Sequence, residues 1–285
     1  MRLTAVLIVK NEEQLIRKAL ESVKDFDEIV VVDTGSTDST KDIAKEYTDR
    51  IFDFKWIDDF SAARNYAIKH ATGDWIYSID ADQRLLSHVN EVRSEAERAE
   101  SEGHKSALVK TEALGGHVHW REVLFKNDPD VFWKGAYHES LSVLSTFKSN
   151  VRRYRGSSKS KSSDPDRGLR ILSKQEKTPR VMFYLGREHF ERQHYDEAIE
   201  WMSRYLDEGK WIPEVGEAWF VIAKSHWHSQ RGDEARGACL QAIKMNPDFK
   251  EALLLMADMH YEPWKHKWLR LAEAATSEDV LFVRV

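Results

Sequence analysis

The chain has a single cysteine, Cys239, which excludes an internal disulfide and a cysteine-based zinc cluster and points to a reducing compartment. Its 13 glycines are nowhere arranged as a P-loop or as Gly-x-Gly-x-x-Gly, so neither phosphate-cradling motif is available. No apolar run approaches the ~18 residues of a membrane span. The stretch Leu3–Val9 runs straight into Lys10-Asn11-Glu12-Glu13 with no small-residue cleavage site, so no signal peptide is expected and the protein is read as cytoplasmic.

What is present suits a folded, well-hydrated chain: 41% hydrophobic and 32% charged residues over 285 positions, enough for one large domain or two modest ones. The net charge of -5 hides an uneven distribution. Between Lys148 and Lys174 there are nine cations against Asp164 and Asp166, so that segment is +7 and the remainder -12. Its Gly156 to Ser163 core and the following Asp164-Pro165-Asp166 are loop chemistry. The expected organisation is a domain over 1–150, a basic linker or lid over 151–177, and a second domain over 178–285.

In the first domain, short apolar runs alternate with helical stripes. Leu3–Val9, Glu28–Val32, Ile51–Phe54 and Trp75–Ile79 read as buried strands. Leu15, Ile16, Ala19, Leu20 and Val23 mark one helix, Ile43, Ala44 and Tyr47 a second, and a third begins at a Ser61 cap and stops at Gly73. This alternation predicts an α/β fold with a mainly parallel sheet whose ligands bind beyond the carboxyl ends of the strands.

After the basic segment the strand signal vanishes. Gly186 and Ala198 stand 12 apart, as do Ala223 and Ala235, and Ala257 follows Ala223 by 34. With Tyr195-Asp196-Glu197-Ala198 and Gly232-Asp233-Glu234-Ala235 around them, these resemble all-α tetratricopeptide repeats over 179–275, read as an acceptor-binding or oligomerisation surface. The aromatics Trp201, Trp219, Phe220 and Trp227 are expected in the core.

The pattern Asp-x-Asp occurs four times, at Asp25/Asp27, Asp80/Asp82, Asp128/Asp130 and Asp164/Asp166. Only Asp80-Ala81-Asp82 follows an apolar strand, so only it is expected at the sheet's carboxyl edge, where paired carboxylates can hold a divalent cation against a diphosphate. The other three lie in turn-like stretches. Asp33 ends a second strand; it can accept from a nucleobase or ribose, or cap the next helix.

Val9-Lys10-Asn11-Glu12-Glu13, Val31-Val32-Asp33-Thr34-Gly35-Ser36-Thr37-Asp38, Trp56 through Asn65, and Gly73 through Asp82 together resemble family-2 glycosyltransferases of the GT-A fold, in that family's order. The resemblance implies a nucleotide-sugar donor, UDP-sugar favoured, with Asp33 on the base and Asp80 near the ribose. It places Asp82 on Mn²⁺ or Mg²⁺, Ala81 and Arg64 beside the donor, and Val9, Asn11 and Glu12 around the nucleoside. Members with appended repeats often read Asp-Ala-Asp-Glu; the fourth position here is Gln83.

The family's acidic residue at the start of a late helix corresponds to Glu139 in Gly135-Ala136-Tyr137-His138-Glu139, making Glu139 the candidate general base. The family's late metal-bound histidine has no counterpart near Val151–Gly156. His138 is the substitute ligand, or water completes the shell while Arg153 and Arg155 screen the diphosphate under a lid formed by 157–163. His117 and His119 share a strand face, suited to acceptor contact or packing more than to metal.

These readings predict a metal-dependent hexosyltransferase-like enzyme, inverting, with a protein or peptide acceptor. The alternatives are an acceptor among nucleic acids (a modified base), which the +7 segment would attract, a saccharide acceptor, or a nucleotide-sugar or polymer binding protein without turnover.

Overall fold

β1 (Leu3–Val9) sends alternate side chains into two cores. Leu3, Ala5, Leu7 and Val9 join one apolar cluster with Ile16, Leu20, Trp75 and Val92, while Val6 joins a second with Val30, Val32, Ala67, Ile76 and Phe125. That two-sided burial is why the strand reads as a continuous Val/Ile/Leu run. The computed structural model describes residues 1–114, 116, 118–156 and 164–275, in two units, Met1–Pro165 and Asp166–Val285.

The N-terminal unit continues with α1 (Ile16–Val23), β2 (Glu28–Asp33), α2 (Thr40–Lys45), β3 (Ile51–Asp53), α3 (Phe60–His70) and β4 (Trp75–Ser78). β1 pairs in parallel with β2 and β4, and β2 with β3, as the strand–helix alternation predicts. α3 starts one residue before Ser61: its cap is Asp59, which accepts from the Ala62 N–H at 2.9 Å and from the Ser61 hydroxyl at 2.7 Å. It ends at His70, short of Gly73.

The second half is β5 (Gln83–Leu85), α4 (Val89–Ser101), β6 (Ser106–Ala113), β7 (Val118–Lys126), a small hairpin β8 (Trp133–Lys134) and β9 (Ser140–Leu141), and β10 (Lys148–Arg155). The large sheet runs β3-β2-β1-β4-β7-β6-β10-β5. β7 is antiparallel to β4 and β6, β10 is parallel to β6 and antiparallel to β5. The sheet is therefore mixed, with four of its seven pairings parallel, and it is flanked by helices.

Residues 151–155, expected in the linker, are strand. The basic run conceals an alternation in which Ser149, Val151 and Arg153 point inward, and β5 and β6 supply the ladder partners. The proposed lid residues 157–163 lie outside the described residues.

The second unit opens with α5 (Arg167–Ser173) and continues as three helix pairs: α6 (Pro179–Glu191) with α7 (Tyr195–Glu208), α8 (Ile212–His228) with α9 (Gly232–Met245), and α10 (Lys250–Asp258) with α11 (Trp264–Ala274). The periodic small residues sit where helices touch. Ala198, Ala223, Ala235 and Ala257 are fully buried, and a Cβ on Gly186 would lie 2.8 Å from the Met202 side chain. Trp201, Trp219 and Phe220 are only partly buried, and Trp227 is 38% exposed, so these rings are not the core that was expected. No helix among the described residues is long and apolar enough to cross a membrane.

Candidate active site

Three adjacent strands deliver the acidic residues to one edge. Val9 and Asp33 are partners in the β1/β2 register, and Asp80 follows β4 on the other side of β1. The β1 and β2 ends are stitched together: the Val9 carbonyl accepts from Thr34 N–H at 2.9 Å, Asn11 Oδ1 from Thr37 N–H at 2.8 Å, and Thr40 Oγ1 from Glu12 N–H at 2.7 Å. Asn11 adopts φ 55, a conformation Asn tolerates better than most residues.

Asp33 is 2% exposed. Its Oδ2 accepts from the Gly35 and Ser36 N–H groups, both at 2.9 Å, as a turn-forming Asp would. Its Oδ1 is buried and has no hydrogen-bond partner among the described residues. A buried acceptor in that state is costly unless a ligand donates to it.

Arg64, on α3, is the hub of the site. Its Nε donates to Glu139 Oε1 at 2.6 Å, one terminal nitrogen to Asp80 Oδ1 at 2.8 Å and the other to Ser78 Oγ at 3.2 Å, and the guanidinium lies 5.2 Å from the Trp133 ring centroid. Burial alone would raise the Asp80 carboxyl; Arg64, then Arg153 and Arg155, outweigh it and hold it at about 2. Glu139 lies in the β8–β9 turn immediately before β9 rather than at a helix start; Gly135 at φ 89 and His138 at φ 54 let that turn fold back.

Behind Asp80, the Gln83 amide donates to Asp80 Oδ2 at 2.8 Å and its oxygen accepts from Arg153 at 2.7 Å. Arg153 also donates to Thr111 Oγ1 at 2.7 Å and is only 3% exposed. Direct screening of a diphosphate by Arg153 is thus replaced by an interior role, reached because its β10 position faces inward. Arg155 is different: half-exposed, it donates to Asp82 Oδ2 at 3.3 Å.

Burial pushes the Asp82 carboxyl above its ordinary range, with Arg155 opposing, so a nearby cation would stabilise it. A magnesium-like ion held by one or two carboxylates plus phosphate and water suits Asp82 with Asp80. Among the described residues no three His, Cys, Asp or Glu side chains gather to hold a metal, so Asp80, Asp82 and His138 do not form a three-residue ligand set. His138 packs edge-on against Tyr137, centroids 4.4 Å apart.

A cleft of about 500 Å³ is lined by Asn11, Glu12, Ala81, Asp82, Gln83 and Tyr154, among others. In each of the remaining Asp-x-Asp pairs at least one carboxylate has a structural partner: Asp27 holds Leu3 N–H and Arg93, Asp128 and Asp130 share Lys105, and Asp166 meets Arg192. His117 lies outside the described residues. His119 sits on β7 opposite Thr111, its pKa lowered to about 4 by burial and by Arg121, Arg153 and Arg155. Sequence reasoning noted Gln83 only as the fourth position after Asp80-Ala81-Asp82 and missed Thr111 and Arg121 as parts of this cluster; the i, i+2 spacing of Arg121 from His119 on a strand is the signal that could have found Arg121.

Residues 4–124 match the glycosyl transferase family 2 model and residues 183–248 a tetratricopeptide repeat model. Residues 4–124 thus carry a family-2 glycosyltransferase domain and residues 183–248 tetratricopeptide repeats. It is 32% identical over 228 residues to the SPbeta prophage-derived glycosyltransferase SunS of Bacillus subtilis, covering 73% of this chain and 54% of that one. It is 40% identical over 154 residues to a TPR repeat-containing protein of Synechococcus elongatus, covering 51% and 38%. The chain thus spans about half or less of these relatives. S. aureus TarS 1–349, solved in complex with UDP-GlcNAc, superposes with a TM-score of 0.48 at 16% identity over 96% of this chain and 89% of that one.

Proposed function

We propose that the protein transfers a sugar from a nucleoside diphosphate sugar, UDP-sugar favoured, to a protein or peptide acceptor with inversion at the anomeric carbon. The observation that carries this reading is that one arginine, Arg64, hydrogen-bonds both Asp80 and Glu139, bringing the donor-side carboxylate and the candidate base to one point within a family-2 domain.

Asp33 Oδ1 is the acceptor offered to a base N–H such as uracil N3–H. Asp80, oriented by Arg64 and Gln83, takes the ribose side. Asp82 and Asp80 would hold Mn²⁺ or Mg²⁺, which when bound neutralises charge on the departing diphosphate. Glu139, oriented by Arg64, takes the proton from the acceptor nucleophile as that atom bonds to the anomeric carbon and the bond to the diphosphate oxygen breaks. Arg155 at the cleft adds positive charge on the leaving-group side.

A peptide acceptor is favoured over nucleic acid because the β10 cations are already engaged. Arg152 pairs with Glu112, Arg153 is buried and Arg155 pairs with Asp82, which leaves less of the +7 segment to meet a phosphate backbone. The test is a panel of nucleotide-sugars with Mn²⁺ or Mg²⁺, reading nucleotide release and thermal shift. Release that vanishes in Asp82→Asn and Glu139→Gln supports the reading; no response to any donor overturns it.

A further inference from the structure

The first helices of the three repeats, α6, α8 and α10, line a groove of about 340 Å³ within the second unit. Its walls are aromatic and aliphatic: Phe190 from α6, Phe220 and Trp227 from α8, Phe249 and Leu254 around α10. Phe190 and Phe249 are buried at its base, while Trp227 and Leu254 are 38% and 40% exposed, so the groove is walled by packed rings and open to solvent at its rim.

Set in that lining are two carboxylates with nothing to hold. Glu217 on α8 and Glu251 on α10 make no hydrogen bond or ion pair among the described residues, and Glu251 Oε2 is buried without a partner. The two repel one another across the groove. Glu251 lies in the first turn of α10, where the helix dipole favours an anion; Glu217, mid-helix, has no such support. The lysine beside them does not neutralise them by contact. Lys224 lies over the Phe190 and Phe220 rings, 4.7 and 5.6 Å from their centroids, and forms no ion pair among the described residues. In all, the groove presents four carboxylates, Glu191, Glu217, Glu251 and Asp258, against Arg187 and Lys224, with His228 at the end.

We propose that this groove binds a polypeptide segment through a lysine or arginine side chain, its alkyl stem on Phe220 and Trp227 and its cationic head between Glu217 and Glu251. The chemistry is complementary on both counts. A long basic side chain buries an apolar stem while offering several N–H donors at its tip, and the groove offers an apolar wall ending in unpaired acceptors. Burial of Glu217 raises its carboxyl to about 7, with Glu251 reinforcing the shift and Arg187 and Lys224 opposing it, as expected where a buried acid lacks its counter-ion. That such a segment is the sugar acceptor rests on the transferase reading above; the binding itself does not.

The experiment uses the full chain and fluorescein-labelled peptides that share an apolar frame and differ only at a central lysine, acetyl-lysine or glutamate. The lysine peptide binds, and acetylation weakens it about 10- to 100-fold, the weight of one charge-assisted hydrogen bond. The isosteric double variant Glu217→Gln/Glu251→Gln, checked for an unchanged fold by its melting curve, loses the same factor for the lysine peptide and little for the acetylated one. Equal binding of lysine and acetyl-lysine peptides, tighter binding of the glutamate peptide, or no binding of any of them overturns the proposal. A homodimer that the double variant dissociates also overturns it, in favour of a second copy as occupant. Nucleotide release from a donor is measured in the same samples: its absence with lysine-peptide binding intact refutes the transferase reading alone, and the converse refutes the groove alone.

Discussion

Arg64 and Glu139, 75 positions apart in the chain, meet in a 2.6 Å hydrogen bond while the same guanidinium holds Asp80 at 2.8 Å. The fork is mostly buried, with Arg64 at 12% and Glu139 at 11% side-chain exposure. Two carboxylates are therefore positioned by one planar group whose donors point in fixed directions, a task for which lysine is a poor substitute.

Arg64→Lys keeps the charge but cannot reach Glu139, Asp80 and Ser78 together. The expected result is a fall in kcat of about tenfold or more, following the loss of oriented charge, with a modest loss of stability. Arg64→Ala leaves the carboxylates without their counter-ion and is expected to destabilise by about 3–5 kcal/mol, the usual range for breaking a buried pair from one side. Urea melts of the two variants alongside donor turnover separate these effects; equal turnover in wild type and Arg64→Lys would discard the positioning role.

Gln83 stands between an anion and a cation, donating to Asp80 and accepting from Arg153. A neutral amide can serve both neighbours at once, whereas glutamate can serve only Arg153 and would set like charge against Asp80. Gln83→Glu is thus expected to raise the Asp80 pKa from about 2, read directly as the titration of the Asp80 carboxyl carbon by NMR. An unchanged Asp80 titration would show that Asp80 is not governed by this contact.

Much of this was legible in the sequence, and what was legible and what was not has a physical cause. β1, β2 and β4 announced themselves because both of their faces are buried, and Asp33 and Asp80 followed as strand-end residues. The periodic alanines 198, 223, 235 and 257 located the helix contacts because only small side chains fit there. β10 was hidden because its inward positions include Ser149 and Arg153, polar residues whose burial depends on Leu108, Thr111 and Gln83 from distant parts of the chain. Glu139 was expected at a helix start and lies in the connection between β8 and β9, since two-residue strands carry no periodic signal. The groove aromatics looked like core because composition cannot distinguish a packed ring from one on an open wall.

Gly73 is a sharper stability probe than any core alanine. A Cβ there would lie 2.6 Å from Thr4 Oγ1, 2.9 Å from Thr4 N and 3.0 Å from the Arg2 carbonyl oxygen. The last two atoms belong to the backbone at the start of β1, in the middle of the sheet, and cannot step aside as a flexible side chain would. Gly73→Ala is expected to destabilise by about 1–3 kcal/mol, the range for overpacking, seen as a lower urea midpoint; a midpoint within error of wild type would mean β1 yields at its start.

Glu217 makes a prediction of opposite sign. Its carboxyl is raised from 4.5 to about 7 in the folded chain by burial, with Glu251 adding and Arg187 and Lys224 subtracting. Between those two values the folded state keeps a proton that the unfolded state has released, so stability falls as pH rises through this window and the penalty is complete above it. Glu217→Gln removes the titration. At pH 4 the variant and wild type should melt alike; at pH 8 the variant should be more stable by about 1–3 kcal/mol, since each tenfold change in proton affinity on folding carries roughly 1.4 kcal/mol and the open groove lets solvent relieve part of it. The charges that act on Glu217, Glu251 raising its carboxyl and Arg187 and Lys224 lowering it, are part of the measured difference, because these interactions are lost with the carboxylate. A lysine peptide in the groove should narrow or reverse the order, stabilising wild type at pH 8 more than Glu217→Gln, which keeps only Glu251 as a counter-charge for the cation. If Glu217→Gln instead loses stability at pH 8, Glu217 has a partner in the folded state and the unpaired acid on which the groove argument stands does not exist.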